Sequence, residues 1–278
     1  MAKETSLPRS WLFVPADSPR KIEKALDSGA DALILDLEDS VAAGAKDGAR
    51  RIVAEALATP APMPRYVRVN ALDTGWTAED VAAAHQADGW VLPKCEGPAD
   101  LATLSDMRPG TPIMAIATET VRAVRALLAQ DWSHPALVAL AWGGEDLAAD
   151  LGASENRDPG GRYHSPFLFA RDAMLFAAKA AGVGAVDTVF TDFRDPQGCR
   201  AEAAAAEVLG FTGKMAIHPA QVAPINDAFT PAPARIDWAE RVVAAMAEAG
   251  DGVASLDGQM LDRPHLRQAR SILARAQR

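Results

Sequence analysis

The feature that most constrains this chain is an alternation. Short apolar runs with β-branched or aromatic content recur roughly every 20 to 35 residues, and each is followed by an alanine-rich stretch of helical periodicity. The runs predict eight strands: Ser10 to Pro15, Ala32 to Leu37, Arg65 to Asn70, Gly89 to Pro93, Pro112 to Thr118, Leu137 to Trp142, Val186 to Phe190 and Lys214 to His218. Between them, Pro19 to Asp27, Ala45 to Ala58, Ala78 to Gln86, Pro98 to Asp106, Thr120 to Ala129, Phe167 to Ala181 and Cys199 to Leu209 read as helices long enough for crossovers. Parallel strands joined by helices need both sheet faces covered. Eight such units without a break in composition favour an α/β fold closed into a (β/α)8 TIM barrel, with an open doubly wound sheet as the alternative.

The pattern is interrupted at Phe229 to Pro233, so a barrel domain is expected over 1–230 and a short helical C-terminal extension over 231–278. In the extension, a helix from Ala234 to Ala249 stops at Gly250, a Gly-containing turn follows, and a basic helix runs from about His265. The extension is too short to be a domain; it packs on its own barrel or reaches a neighbouring subunit. Inside the barrel, the irregular stretch Ala153 to His164 reads either as a mobile lid or as a plain surface loop.

Charge narrows the function classes. With 28 Lys and Arg against 37 Asp and Glu the formal charge is -9, which disfavours nucleic acid as a partner. No apolar run approaches the roughly 18 residues of a membrane span, and the polar start lacks a signal-peptide core, so a cytoplasmic protein without a membrane partner is expected. Cys95 and Cys199 have no metal-site or disulfide spacing and read as free thiols.

The polar residues collect at the carboxyl ends of the predicted strands, the catalytic face of a barrel. Asp36, Glu38 and Asp39 follow strand two, Arg68 and Asn70 lie in strand three, and Lys94 follows strand four. Glu119 follows strand five, Glu145 and Asp146 strand six, Asp192 and Asp195 strand seven, and His218 ends strand eight. Carboxylates gathered away from water call for cations. Arg68 and Lys94 answer part of that demand, and the remaining acid excess fits a magnesium ion on Glu119 and Asp146, completed by water and substrate oxygens. Plainer readings stand beside this one. Asp36, Glu38 and Asp39 form a structural ion-pair layer with Lys94 or Lys46; Asp146 and Glu119 are first-turn helix acids; His218 caps a helix or binds a carbonyl.

The stretches RSWLFVPADSPRKIEKA, ADALILDLEDSV, YVRVN, VLPK, ATET, GGEDLAADLG, DFRDPQG and AIHPAQ, in this order across nearly the whole chain, resemble the citrate lyase β-subunit-like group of the HpcH/HpaI aldolase superfamily. The resemblance implies a (β/α)8 barrel with magnesium on Glu119 and Asp146 and a substrate-carboxylate arginine at Arg68, so that Arg68 and Glu119 line the substrate. GQMLDRPH resembles a tail motif whose Asp, here Asp262, enters an adjacent subunit's site in acyl-CoA relatives. Arg20 and Lys21 resemble the helix start that meets coenzyme A phosphates. Two departures from the pattern are Ala16, where many members have Gly, and Thr118, in place of an aliphatic residue.

The implied activity is magnesium-dependent carbon-carbon cleavage of β-hydroxyacyl-CoA thioesters such as citramalyl-, malyl- or citryl-CoA, releasing a 2-oxo acid and an acyl-CoA, with Arg68 and Asp262 as catalytic residues. A homo-oligomer, trimeric or a multiple of that, is expected. Three alternatives stand open: a class II aldolase on free 2-oxo acids, a lyase subunit served by an acyl-carrier protein within a complex, and a 2-oxo acid binding barrel without turnover.

Overall fold

The structure is a computed structural model that describes residues 7–250 and 252–276. Eight parallel strands close into a barrel in chain order: Ser10–Pro15 (β1), Ala32–Asp36 (β2), Arg65–Arg68 (β3), Gly89–Leu92 (β4), Ile113–Ile116 (β5), Leu137–Ala141 (β6), Gly184–Asp187 (β7) and Gly213–Ala216 (β8). Closure comes from β1, which pairs with β2 through Trp11 and Ala32 and with β8 through Trp11 and Met215. The outer ring consists of Pro19–Leu26 (α1), Lys46–Leu57 (α2), Thr77–Ala83 (α3), Pro98–Met107 (α4), Val121–Ala129 (α5), Glu145–Leu151 (α6), Ser165–Ala180 (α7) and Pro196–Leu209 (α8), with Val222–Phe229 (α9) after β8.

Local chemistry starts these helices where the sequence directs. Proline occupies the first turn of α1, α4, α7 and α8, where its missing N–H is no loss. Thr120 accepts the Ala123 N–H and Asp195 accepts the Gly198 N–H as N-caps.

Strand periodicity decides what faces inward. Trp11, Ala32, Ile34, Tyr66, Val91, Met114, Ile116, Ala139, Ala141, Val186 and Met215 pack as one cluster. Alternation along each strand therefore places Asp36 and Arg68 on the inner face and Asp187 and Lys214 on the outer face.

The elements differ from expectation at their edges, and at β7 and β8 the hydrogen bonds show why. β7 starts two residues early and stops at Asp187, because its register is set by Ala139 opposite Gly184 and by Thr212, whose N–H and hydroxyl both donate to the Ala185 carbonyl. β8 stops at Ala216, where the Ile217 N–H leaves the ladder for Gln221 Oε1. The short helices α6 and α9 are absent from the crossover helices read from the sequence, which marks only a first-turn acid at Asp146 and a cap at His218.

The contacts divide the chain at Asn226 and Asp227 into two compact units. The stretch from Asp227 carries Pro233–Glu248 (α10), a hairpin of Ala254–Leu256 (β9) and Gln259–Leu261 (β10), and Arg263–Ala276 (α11). Its core is Ala239, Val242, Met246, Leu261, Ala269 and Ile272. The Gly-containing turn expected there is the two-residue turn of this hairpin, Asp257 and Gly258, both with positive φ. Among the described residues no helix is long and apolar enough to cross a membrane.

Candidate active site

At the carboxyl end of the barrel the last residues of β2 and β3, Asp36 and Arg68, are register partners. Arg68 donates from Nε and Nη2 to the two Asp36 oxygens, both at 2.7 Å, and the Glu38 and Ser40 N–H groups also donate to that carboxylate. Burial pushes the Asp36 carboxyl up, but Arg68 and these donors together hold it below its ordinary value. Arg68 Nη1 lies 3.0 Å from Glu38 Oε2, and the guanidinium sits 4.8 Å from the Phe13 ring centre. A guanidinium has five N–H donors. Asp36 occupies the Nε/Nη2 edge and Glu38 lies against Nη1, and Arg68 also lines a cavity of about 400 Å³ together with Asp39, Ser40, Phe13, Val189 and Ile217.

Glu119 leaves β5 buried, and its Oε2 accepts the Lys94 N–H at 2.5 Å. Burial, with Asp146 and Glu38 adding to it, pushes this carboxyl up to about 8 against the pull of Arg68 and the Lys94 N–H. Asp146 stands in the first turn of α6, with Oδ1 3.5 Å from Lys94 Nζ. The backbones carrying the two acids are pinned together by Thr118, whose hydroxyl donates to the Gly143 carbonyl and accepts the Gly143 N–H. At Gly143 a Cβ would come within 3.3 Å of Glu119 Cγ, so a side chain there would press on that acid. The departure at Thr118 thus has a visible use, and Ala16, buried with its N–H donating to the Asp36 carbonyl, lies outside the positive-φ region that would require Gly.

These groups have the donor chemistry of a hard-cation site. Among the described residues no group of three or more His, Cys, Asp or Glu is assembled; an ion held by two carboxylates would take its other positions from oxygens outside the chain. A buried acid pushed toward neutrality beside a second acid is an electrostatic deficit that a cation fills.

Of the residues singled out from the sequence, Arg68, Glu119, Asp146 and Lys94 share this cluster. Arg20 and Lys21 lie exposed in the first turn of α1, which follows β1 at the same barrel end. Asp262 belongs to the unit from Asp227 on, where its carboxylate caps α11 and meets His265 Nδ1 at 2.6 Å. The expected ion-pair layer forms around Lys94 for Glu38 and Asp39, but not for Asp36 and not through Lys46. Asp36 pairs with Arg68, Lys94 takes Glu38 and Asp39, and Lys46 is buried donating to the Leu37 and Glu38 carbonyls and Asn70 Oδ1. His218 is a cap, its Nδ1 accepting the Ala220 N–H. The stretch from Ala153 to His164 is tied down: Arg157 pairs with Glu202 at 2.8 Å, and Tyr163 packs edge-on to Trp142.

Sequence reasoning missed a second charged cluster. Lys214, fully buried, donates to Asp187 at 2.6 Å and to Glu202 at 2.8 Å, and Trp142 Nε1 donates to the other Asp187 oxygen. The available signal was an Asp and a Lys embedded in predicted strands. Both cysteines are free, as expected, and both are buried.

A family model described as HpcH/HpaI aldolase/citrate lyase matches residues 9–219. A (3S)-malyl-CoA thioesterase of Cereibacter sphaeroides (strain KD131 / KCTC 12085) is 38% identical over 287 residues, covering 100% of this chain and 97% of that protein. The mitochondrial citramalyl-CoA lyase of Mus musculus is 34% identical, covering 96% of this chain and 86% of that protein. Among solved structures, protein CitE from Mycobacterium tuberculosis in complex with magnesium, acetoacetate and coenzyme A superposes with a TM-score of 0.85 at 35% identity, covering 99% of each chain.

Proposed function

The chain belongs to the HpcH/HpaI aldolase/citrate lyase family, and on that premise we propose that it is a magnesium-dependent carbon-carbon lyase acting on β-hydroxyacyl-CoA thioesters of the malyl-, citramalyl- or citryl-CoA kind. The observation that carries this reading is Glu119, buried beside Asp146 and pushed up to about 8, in a family whose solved relative holds magnesium and coenzyme A.

Glu119 and Asp146 would hold the ion. When bound, magnesium acts as a Lewis acid on the substrate oxygen whose charge changes during cleavage. Arg68, fixed by Asp36 and bordering the cavity, offers its remaining N–H donors to the carboxylate of the 2-oxo acid, a charge-assisted contact that orients the substrate. Phe13, Val189 and Ile217 give that cavity apolar walls. In cleavage the substrate hydroxyl gives up its proton, the carbon-carbon bond breaks as the hydroxyl-bearing carbon becomes the carbonyl of the 2-oxo acid, and the other fragment leaves as an acyl-CoA enolate whose carbon takes up a proton. Asp262, delivered by a neighbouring subunit, handles that proton, and Arg20 and Lys21 receive the coenzyme A phosphates. The partners in this reading are an acyl-CoA thioester and a 2-oxo acid, in a homo-oligomer. A monomeric enzyme with full activity in sedimentation would remove the route for Asp262.

A second reading, thioester hydrolysis at the same site, is favoured by the 38% identity to a (3S)-malyl-CoA thioesterase along the whole chain. One experiment separates the two: a panel of thioesters assayed with magnesium and with chelator, following free thiol and 2-oxo acid together. Lysis yields 2-oxo acid without thiol; hydrolysis yields thiol without 2-oxo acid. Full turnover of either kind in chelator refutes the metal site.

A further inference from the structure

Lys94 holds two features that the proposed reaction does not use. Apart from Asp257 in the hairpin turn, it is the one non-glycine residue with positive φ among the described residues, at 49°. A lysine gains nothing from that region by itself, having no short polar side chain to bond its own backbone. Its conformation does turn the Lys94 N–H onto Glu119 Oε2. At the other end of the side chain, the ammonium hydrogen-bonds Glu38, lies 3.5 Å from Asp146 Oδ1 and lies 3.7 Å from Asp39. One residue therefore touches both acids of the cation site, the first through its backbone and the second through its charge.

The two cations of the site are held differently. The Arg68 side chain is 11% exposed and locked by a two-point contact; the Lys94 side chain is 31% exposed, and the ammonium is a point charge on a flexible stem. Lys94 can withdraw toward Glu38 and Asp39 without losing every partner, whereas Arg68 cannot move without uncovering Asp36.

We propose that Lys94 is a positioning residue that sets the strength of the metal site: its left-handed backbone aims Glu119, and its ammonium competes with the divalent cation for Asp146. The proposal rests on Glu119 and Asp146 being the ligands. It assigns the ammonium a cost in affinity, so removing a charged residue from the site strengthens metal binding.

The test is calorimetric titration of magnesium alone into the purified protein, without substrate. Lys94→Gln and Lys94→Gly both keep the backbone N–H and remove the charge, and glycine accepts the left-handed conformation freely. Both are expected to bind magnesium about tenfold more tightly than wild type, the size expected from lifting a unit charge a few ångströms from the ion in a partly solvated site. Lys94→Cys alkylated with bromoethylamine regains an ammonium on a stem of equal length, and its affinity is expected to return to the wild-type value. The two native cysteines are buried, with burial pushing both thiols up, so they do not compete for the reagent. Unchanged or weaker binding in Gln and Gly variants that melt like wild type overturns the proposal. If wild type binds no magnesium and matches Glu119→Gln in the titration, the metal-site reading itself has failed and takes this inference with it.

Discussion

Two ion pairs in this barrel are built alike and behave as opposites. Asp36 and Arg68 face each other across β2 and β3, and Asp187 and Lys214 face each other across β7 and β8; in both the partners are in register on neighbouring parallel strands. They differ by one step of the strand period. The first pair lies on the inner face, where its arginine borders a cavity and further acids, Glu38 and Glu119, crowd the same space. The second lies on the outer face under α8, where Glu202 and the Trp142 N–H complete it. Burial pushes the Glu202 carboxyl up, yet Lys214 and Arg157 more than reverse that and hold it low, whereas Glu38 and Glu119 at the inner site stay above their ordinary values. A charged cluster with its demands met is scaffold. One left short of positive charge is where a cation and an anionic substrate have something to gain.

The comparison is broken most severely by removing one partner of the outer pair. Lys214→Met leaves Asp187 buried without its cation, and the expected loss is about 3–5 kcal/mol of stability, read from denaturant midpoints, with kcat per folded molecule little changed. The inner acids should respond the other way round. Glu119→Gln or Asp146→Asn is expected to lower magnesium-dependent kcat/KM by about a hundredfold, the upper part of the range for disturbed metal sites, while stability is kept or slightly raised because a buried, crowded acid has become neutral. A large stability loss in Glu119→Gln would mean that this cluster is scaffold too.

How far the sequence shows this division is itself instructive. The eight βα units and the acids at the strand ends were legible, because apolar periodicity and strand-end position are local properties. Which face Asp187 and Lys214 point to was not. A strand read as Val186 to Phe190 actually begins at Gly184, with edges set by β6 and β8, and an Asp inside an apolar run looks the same whether it points in or out. The choice between Lys94 and Lys46 was open for a related reason: Lys46 takes carbonyls at the end of β2, and a sequence does not show which carbonyls a turn leaves bare. The left-handed Lys94 was also invisible, since only the closeness of Glu119, 25 residues on, gives that conformation a purpose.

A finer test asks whether the inner pair holds substrate or merely itself. Arg68→Lys keeps a charge for Asp36 but loses the planar fork, so the dissociation constant of the 2-oxo acid, measured by calorimetry with magnesium present, is expected to rise about tenfold, with a change in melting temperature smaller than that of Lys214→Met. An unchanged dissociation constant would reassign Arg68 to the scaffold beside Lys214.

The smallest expected effect lies at the rim of the outer cluster. Glu202 has a folded pKa below its ordinary value of 4.5, so its ionised form adds stability that is present above that value and fades as pH falls through the lowered one. Glu202→Gln should therefore be less stable than wild type at neutral pH, and the gap in unfolding free energy should close as the pH drops below 4.5. Lys214 retains Asp187 in the variant, which keeps the neutral-pH gap below that of Lys214→Met. A gap that stays constant through the acid range would show that Glu202 contributes packing against Arg157 rather than charge, and the outer cluster would then reduce to the Asp187 and Lys214 pair alone.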